Sequence, residues 1–267
     1  MVKVNLKRIL LKREFLVPSI SIFLALAMWE IFAKTGIIGA YFFPPPTLIG
    51  KSLLKIGGKG DLFHHTLVTI YRLFFAFLMA AIPGVVIGLA MGLWRSVRSM
   101  VDPIILLIYP IPSIAFLPMV MLYFGFGDLS LLITAAITPF FLITVNTMSG
   151  VSHLEKVILE AGQNYGALGW KLFYKVIFPG TLPYIFTGFR LGLGLALIVV
   201  IAVELVAAKV GLGSMLWTCW QIFKIEEMYC GLILIGLMGL FFTYGLGWLA
   251  DFFMPWQKDI LKQKGLR

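Results

Sequence analysis

The chain has 267 residues, 60% of them hydrophobic and only 13% charged, with a mean hydropathy of +0.98. A soluble domain carries about 25% charged residues and could not hide this much apolar surface, so composition excludes a water-soluble globule, a disordered chain and a collagen-like fibre. Two cysteines, Cys219 and Cys230, are too few for a disulfide framework, and the net charge of +10, which alone would suit nucleic acid, is explained below by membrane orientation.

The pattern predicts an all-α polytopic membrane protein with six transmembrane helices. A helix needs about 20 apolar residues to cross the hydrocarbon core. A basic N-terminus, 1–14, precedes a first span over 15–33, with Glu30 near its far end. An external segment, 34–65, holds Pro44-Pro45-Pro46, a stiff extended corner, and then a short helix. Residues 66–250 form a core of five spans. Their charge-poor stretches are Leu73–Trp94, Pro103–Gly127, Leu129–Ser152, Val176–Ala208 and Met228–Ala250, and a tail, 251–267, follows. In lipid the backbone must satisfy itself, and the alternating ten-residue segments of a β-barrel are absent, so the spans are helical. The basic start lacks a small-residue cleavage site and reads as an uncleaved span.

With the N-terminus placed in the cytoplasm, the inside segments 1–14, 94–102, 150–182 and 251–267 hold fourteen cations and the outside segments hold six. This bias predicts both termini inside.

Ala80, Gly84, Gly88 and Gly92 recur every four residues on the second span, and Gly188 and Gly192 on the fifth, a spacing that lets helix backbones approach closely. Pro110 and Pro112 remove two backbone donors within three residues and must kink or break the third span. A broken helix in lipid is tolerated where it faces protein or water, so Pro110, Pro112 and Ser113 are path candidates, with a simple packing kink the alternative. Leu212, Met215, Leu216, Cys219, Trp220 and Phe223 fall at helical spacing outside the spans, either on the membrane surface or plugging a cavity mouth.

The fifth span contains Arg190 and Glu204, and ionisable groups there face protein or water. Both are candidates for lining a path, with helix bridging the structural alternative; Glu204 sits toward the outer end. Arg72 either snorkels to headgroups or bridges helices. His64-His65 offers no third ligand for a metal, and His153 reads as a helix-start residue. Cys219 and Cys230 read as free thiols.

The inside loop 150–182 is amphipathic. Gly166 breaks one short helix, and a second, from about Leu168, is expected to end near Phe178 because Pro179 follows. Tyr165, Trp170, Phe173 and Tyr174 suit an interface. Glu160, Ala161, Gly162, Gly166, Val176, Phe178 and Pro179 stand at the spacing of the cytoplasmic signature of ABC importer permeases, which the segment resembles. Gly162 replaces a commoner alanine, and Val176 and Phe178 are mild departures that keep apolar character. Pro110-Ile111-Pro112-Ser113, Tyr123–Gly127, Pro183–Arg190, Ala202-Val203-Glu204 and Gly211-Leu212-Gly213 are similar to the nitrate/sulfonate/taurine branch of that family. The likeness covers roughly residues 40–250.

The resemblance implies a type I importer (MetI-like) permease fold with cytoplasmic coupling helices. It implies a bacterial or archaeal plasma membrane, and a second permease copy in a homodimer or heterodimer. Two ATP-binding subunits would be gripped through 155–178, with Glu160, Ala161, Gly162, Gly166 and Pro179 as coupling residues. A periplasmic or lipid-anchored binding protein would deliver a small solute: nitrate, a sulfonate, taurine or a related small organic such as a vitamin precursor. It implies no enzyme activity and no cofactor in this chain, ATP and Mg being held by the partner ATPase; no Gly-x-x-x-x-Gly-Lys-Ser/Thr loop occurs. The rival readings are a secondary transporter driven by an ion gradient, which would show internal repeats and several buried acids, and a membrane-embedded enzyme, which would need a catalytic grouping absent here.

Overall fold

A computed structural model of the chain describes residues 6–58 and 60–256, with side chains from Val17 onward except Pro18. Lys3, Lys59 and the tail cations Lys258, Lys262, Lys264 and Arg267 lie outside the described residues, as do the side chains of the other N-terminal cations. Among the described residues the secondary structure is entirely helical. In order the helices are α1 (Leu6–Lys34), α2 (Pro46–Gly57), α3 (Asp61–Leu93), α4 (Arg95–Ile108), α5 (Leu117–Phe124), α6 (Asp128–Ser152), α7 (Lys156–Asn164), α8 (Trp170–Leu172), α9 (Phe178–Ala207), α10 (Leu212–Gln221) and α11 (Ile225–Phe253). A 3₁₀ turn, Ser113–Phe116, precedes α5, and a π turn, Phe173–Ile177, joins α8 to α9.

Four helices are long and apolar enough to cross a membrane: Asp61–Leu93, Asp128–Ser152, Trp170–Ala207 and Ile225–Phe253. The α4 and α5 region, bent by 90° at its break, supplies a fifth if it counts as one span. The expected first span falls within α1, whose early side chains lie outside the described residues.

The chain divides into two compact units. One comprises 1–63 and 216–233. There the Glu30 carboxylate accepts from the Thr47 hydroxyl (2.7 Å) and amide (3.0 Å) and pairs with Lys34, so the chain turns back at Pro44–Pro46 with α2 tied to α1. Ile49 is buried, and its carbonyl receives the Cys230 thiol at 3.5 Å. Both cysteines are free.

The other unit, 64–215 with 234–267, holds the core. Here α6 is the central helix, gripped on two sides by glycines. A Cβ on Gly84 would lie 3.0 Å from the Ile143 side chain, and one on Gly88 would press on Thr144 and Thr147. On the other side Gly188 and Gly192 leave room for Ile143, and Gly150 leaves room for Thr181 and Tyr184. Lipid tails are as apolar as leucine, so close backbone contact and dispersion hold such helices together. Ala80, Ala81, Ala136 and Ile143 form one buried cluster there, and Met91, Ile105, Phe141 and Met148 another.

Two expectations need correction. Pro179 does not end a helix: it sits in the first turn of α9, and the chain runs on helically from Trp170 to Ala207. The π turn before it explains this, because widening the hydrogen-bond spacing accommodates a residue that has no N–H to donate. His153 caps the end of α6 instead of starting a helix, and its ring stacks on Tyr184 at 5.8 Å. The charge-free stretch from Leu73 lies within α3, which begins at Asp61, and residues 61–72 add a helical face that buries Leu62, Thr69 and Arg72.

Candidate functional site

The loop 150–182 forms a compact knuckle. α7 ends in a full glycine cap: Gly166 has φ +76, its amide donates to the Gln163 carbonyl (2.8 Å), and the Ala167 amide donates to the Gly162 carbonyl (3.0 Å). Gly169 turns the chain a second time, with φ +54. Ala167 is buried beneath the turn. A Cβ on Gly162 would come 2.9 Å from Val176 Cγ2, so α7 seats here against the π turn. Two of the three residues that depart from the family pattern, Gly162 and Val176, thus occupy one contact. Glu160 and Ala161 are exposed on α7, and Glu160 makes no side-chain hydrogen bond or ion pair among the described residues. Tyr165, Trp170 and Tyr174 are exposed, while Phe173 is half-buried and stacks on Trp170 at 4.9 Å.

At the third span Pro110 and Pro112 lie exposed at the break between α4 and the 3₁₀ turn. Ser113 is buried, and its Oγ accepts from Thr138 Oγ1 at 2.8 Å, which fastens the break to α6. Arg190 is exposed on α9 and borders a cavity of about 210 Å³ lined by Pro183, Phe186, Thr187, Leu246 and Ala250. None of the ion pairs among the described residues involves it.

Glu204 is placed differently. It is fully buried, and three groups, two from α3 and one from the start of α10, converge on its carboxylate. Arg72 Nη1 donates to Oε1 at 2.8 Å, the Gly213 amide donates to Oε2 at 2.9 Å, and the Thr69 hydroxyl lies 3.0 Å from both oxygens. Thr69 Oγ1 also accepts from the Leu212 amide at 2.8 Å. Arg72 is itself buried; Nη1 further donates to the Val210 carbonyl, and Nε and Nη2 reach Asp128 Oδ1 at 2.9 and 2.7 Å. His65 Nδ1 lies 3.0 Å from the Gly211 nitrogen and 2.9 Å from its oxygen. The loop 208–213 can approach α9 this closely only with glycine at two places. A Cβ on Gly211 (φ +133) would run into the Glu204 carboxylate, and one on Gly213 would lie 2.7 Å from Glu204 Cβ. Such a buried charge persists only when paired and fully bonded.

The sequence-predicted residues therefore separate into four places: the knuckle with Glu160–Gly166 and Pro179, the break with Pro110–Ser113, the Arg190 cavity, and the Glu204 cluster. The structure unites Glu204 with Gly211-Leu212-Gly213, two motifs read apart in the sequence. Thr69 and Asp128 carry no signal in the sequence, and His65 stands out there only as half of a histidine pair; a threonine one helical turn after a histidine gives no signal by itself. Arg72 bridges helices.

Residues 84–259 match the family described as "Binding-protein-dependent transport system inner membrane component". The chain is 32% identical to the taurine transport system permease protein TauC of Escherichia coli over 88% of this chain and 87% of that one. It is also 32% identical to a putative ABC transporter permease protein of Methanocaldococcus jannaschii, over 96% of each. A bicarbonate transport system permease protein of Synechocystis, CmpB, is 28% identical over 91% of this chain and 90% of its own.

Proposed function

This chain belongs to the inner-membrane components of binding-protein-dependent ABC transport systems, and on that premise we propose that it forms, with a second copy or a paralogue, the solute path of an ATP-driven importer. It is a multi-pass membrane protein of the nitrate/sulfonate/taurine branch. The reading extends to six spans with both termini in the cytoplasm, supported by the fourteen-to-six bias of cations toward the assigned inside segments. The solute is small and sulfonate-, taurine- or bicarbonate-like, by likeness to the relatives.

The observation that carries the coupling assignment is the knuckle. A glycine-capped helix seated on Val176 holds Glu160, Tyr165 and Trp170 exposed, on a base continuous with the helix Trp170–Ala207. An ATPase subunit gripping it would move that helix as a rigid lever. Glu160 would pair with a basic residue of the ATPase; Ala161 would face the groove, while Gly162, Gly166 and Pro179 shape the knuckle. ATP and Mg would be bound by that subunit and substrate delivered by a separate binding protein. The path would run past the broken third span, with Pro110, Pro112 and Arg190 on its wall.

The test is purification from native membranes. An ATPase is expected to co-purify, and a Glu160→Lys variant is expected to lose it while keeping its helical content. Co-purification of nothing, or ATPase retention in Glu160→Lys with normal uptake, overturns the coupling reading.

A further inference from the structure

The charged cluster contains two contacts of unequal character. Arg72 is shared by two acids: the Glu204 side chain is 0% exposed, whereas that of Asp128 is 54% exposed. Three charges, two negative and one positive, leave a surplus of one carboxylate. If Asp128 leaves, Arg72 stays neutralised by Glu204 and the freed carboxylate passes into water it already touches. If Glu204 leaves, an arginine loses its buried counter-ion. The first contact is cheap to open and the second is not.

What Asp128 holds down is a swivel. Tyr123–Gly127 joins α5 to α6; Gly125 has φ +81, and a Cβ built on Gly125 or Gly127 meets nothing within 4 Å. Met121 is the last residue of α5 packed on the cluster of Leu117, Leu131 and Val203. Beyond it Leu122, Tyr123 and Phe126 stand 85%, 78% and 93% exposed. Three short local bonds also restrain the turn: Ser130 Oγ donates to the Gly125 carbonyl at 2.6 Å, the Gly125 amide to the Met121 carbonyl at 2.9 Å and the Ser130 amide to the Gly127 carbonyl at 3.1 Å. The turn is also the end of the broken third span.

We propose that Arg72 and Asp128 form a releasable clasp on the Tyr123–Gly127 turn, with the Arg72–Glu204–Gly213 block as its fixed seat. The inference rests on the importer reading and its orientation, which put this turn at the outer mouth of the path. Closed, the clasp holds the aromatic turn beside α3. Released, it lets the turn swing on its two glycines as access changes sides, a switch between two discrete arrangements. Arg72 and Asp128 are thus positioning residues for transport; neither need touch the solute.

The experiment uses the permease with its co-purified ATPase in nanodiscs. Met121→Cys, half-buried at the last packed position of α5, serves as reporter and is labelled by a membrane-impermeant maleimide; Cys219 and Cys230 are buried. Asp128→Asn is expected to raise the labelling rate about threefold or more and to abolish its response to ATP, with ATPase activity rising in the absence of binding protein. Asp128→Glu should restore both, and Asp128→Asn should melt with its parent while Glu204→Gln melts well below it. Parental labelling and coupling in Asp128→Asn overturn the clasp. So does melting as low as that of Glu204→Gln, since Asp128 would then belong to the fixed block. A chain that brings down no ATPase overturns the importer reading first, and the clasp with it, before any variant is made.

Discussion

Glu204 accepts from a guanidinium, a backbone amide and a hydroxyl, all buried with it. Removing one partner of such a group strands the other, a loss of about 3–5 kcal/mol. Glu204→Ala is therefore expected to lower thermal stability strongly in detergent, followed by tryptophan fluorescence, and Glu204→Gln to fall less because it still accepts from the Gly213 amide. Gly213→Ala tests the same seat from the other side: its Cβ would lie 2.5 Å from the Ile201 carbonyl, and the expected cost is about 1–3 kcal/mol. Cys219 gives an independent check on packing. Burial, and then the Glu227 carboxylate, push its thiol above the ordinary range. Little thiolate exists near neutrality, so maleimide modification of folded protein should be slow and should accelerate on unfolding. The sequence showed Glu204 as an acid in an apolar helix, which marks it as costly, yet its partners were illegible. Arg72 and Thr69 lie 132 and 135 residues away, and no local spacing connects them.

Elements with a short-range period were easier to read. Gly84, Gly88 and Gly92 recur every turn, and the structure fills the space above them with Ile143, Thr147 and Val151 of α6. The double proline broke the third span as expected, since two lost donors cannot be absorbed within one turn. Pro179 misled because a lone proline ordinarily reads as a stop; the π turn that absorbs it leaves no mark in composition. The knuckle itself was visible through Gly166. A β-branched residue there must adopt φ +76, at a cost of about 1–2 kcal/mol. Gly166→Val should reduce the amount of ATPase recovered per permease on quantitative gels, with circular dichroism unchanged. Recovery equal to the parent's would mean that the cap is not needed for docking.

For the whole molecule the two candidate energy sources separate in vesicles. Uptake through the reconstituted complex should require ATP and the binding protein, and should survive collapse of the proton and sodium gradients. Uptake that follows a gradient without nucleotide would restore the secondary-transporter reading. Composition carried the membrane assignment on its own, because 13% charged residues cannot solvate a chain of this length. The number of crossings is harder to read. The stretch expected as the third span is two helices at 90°, and hydropathy averages over the bend.

The contact between Gly162 and Val176 also governs how this protein can be recombined with its kin. The absent methyl at one position is the room taken by the branched side chain at the other. Grafting only the first helix of the knuckle from a relative that carries alanine would jam it against Val176. Transplanting 156–178 as a single cassette would bring both halves of the fit together, so hybrids that exchange this knuckle should be cut outside those bounds.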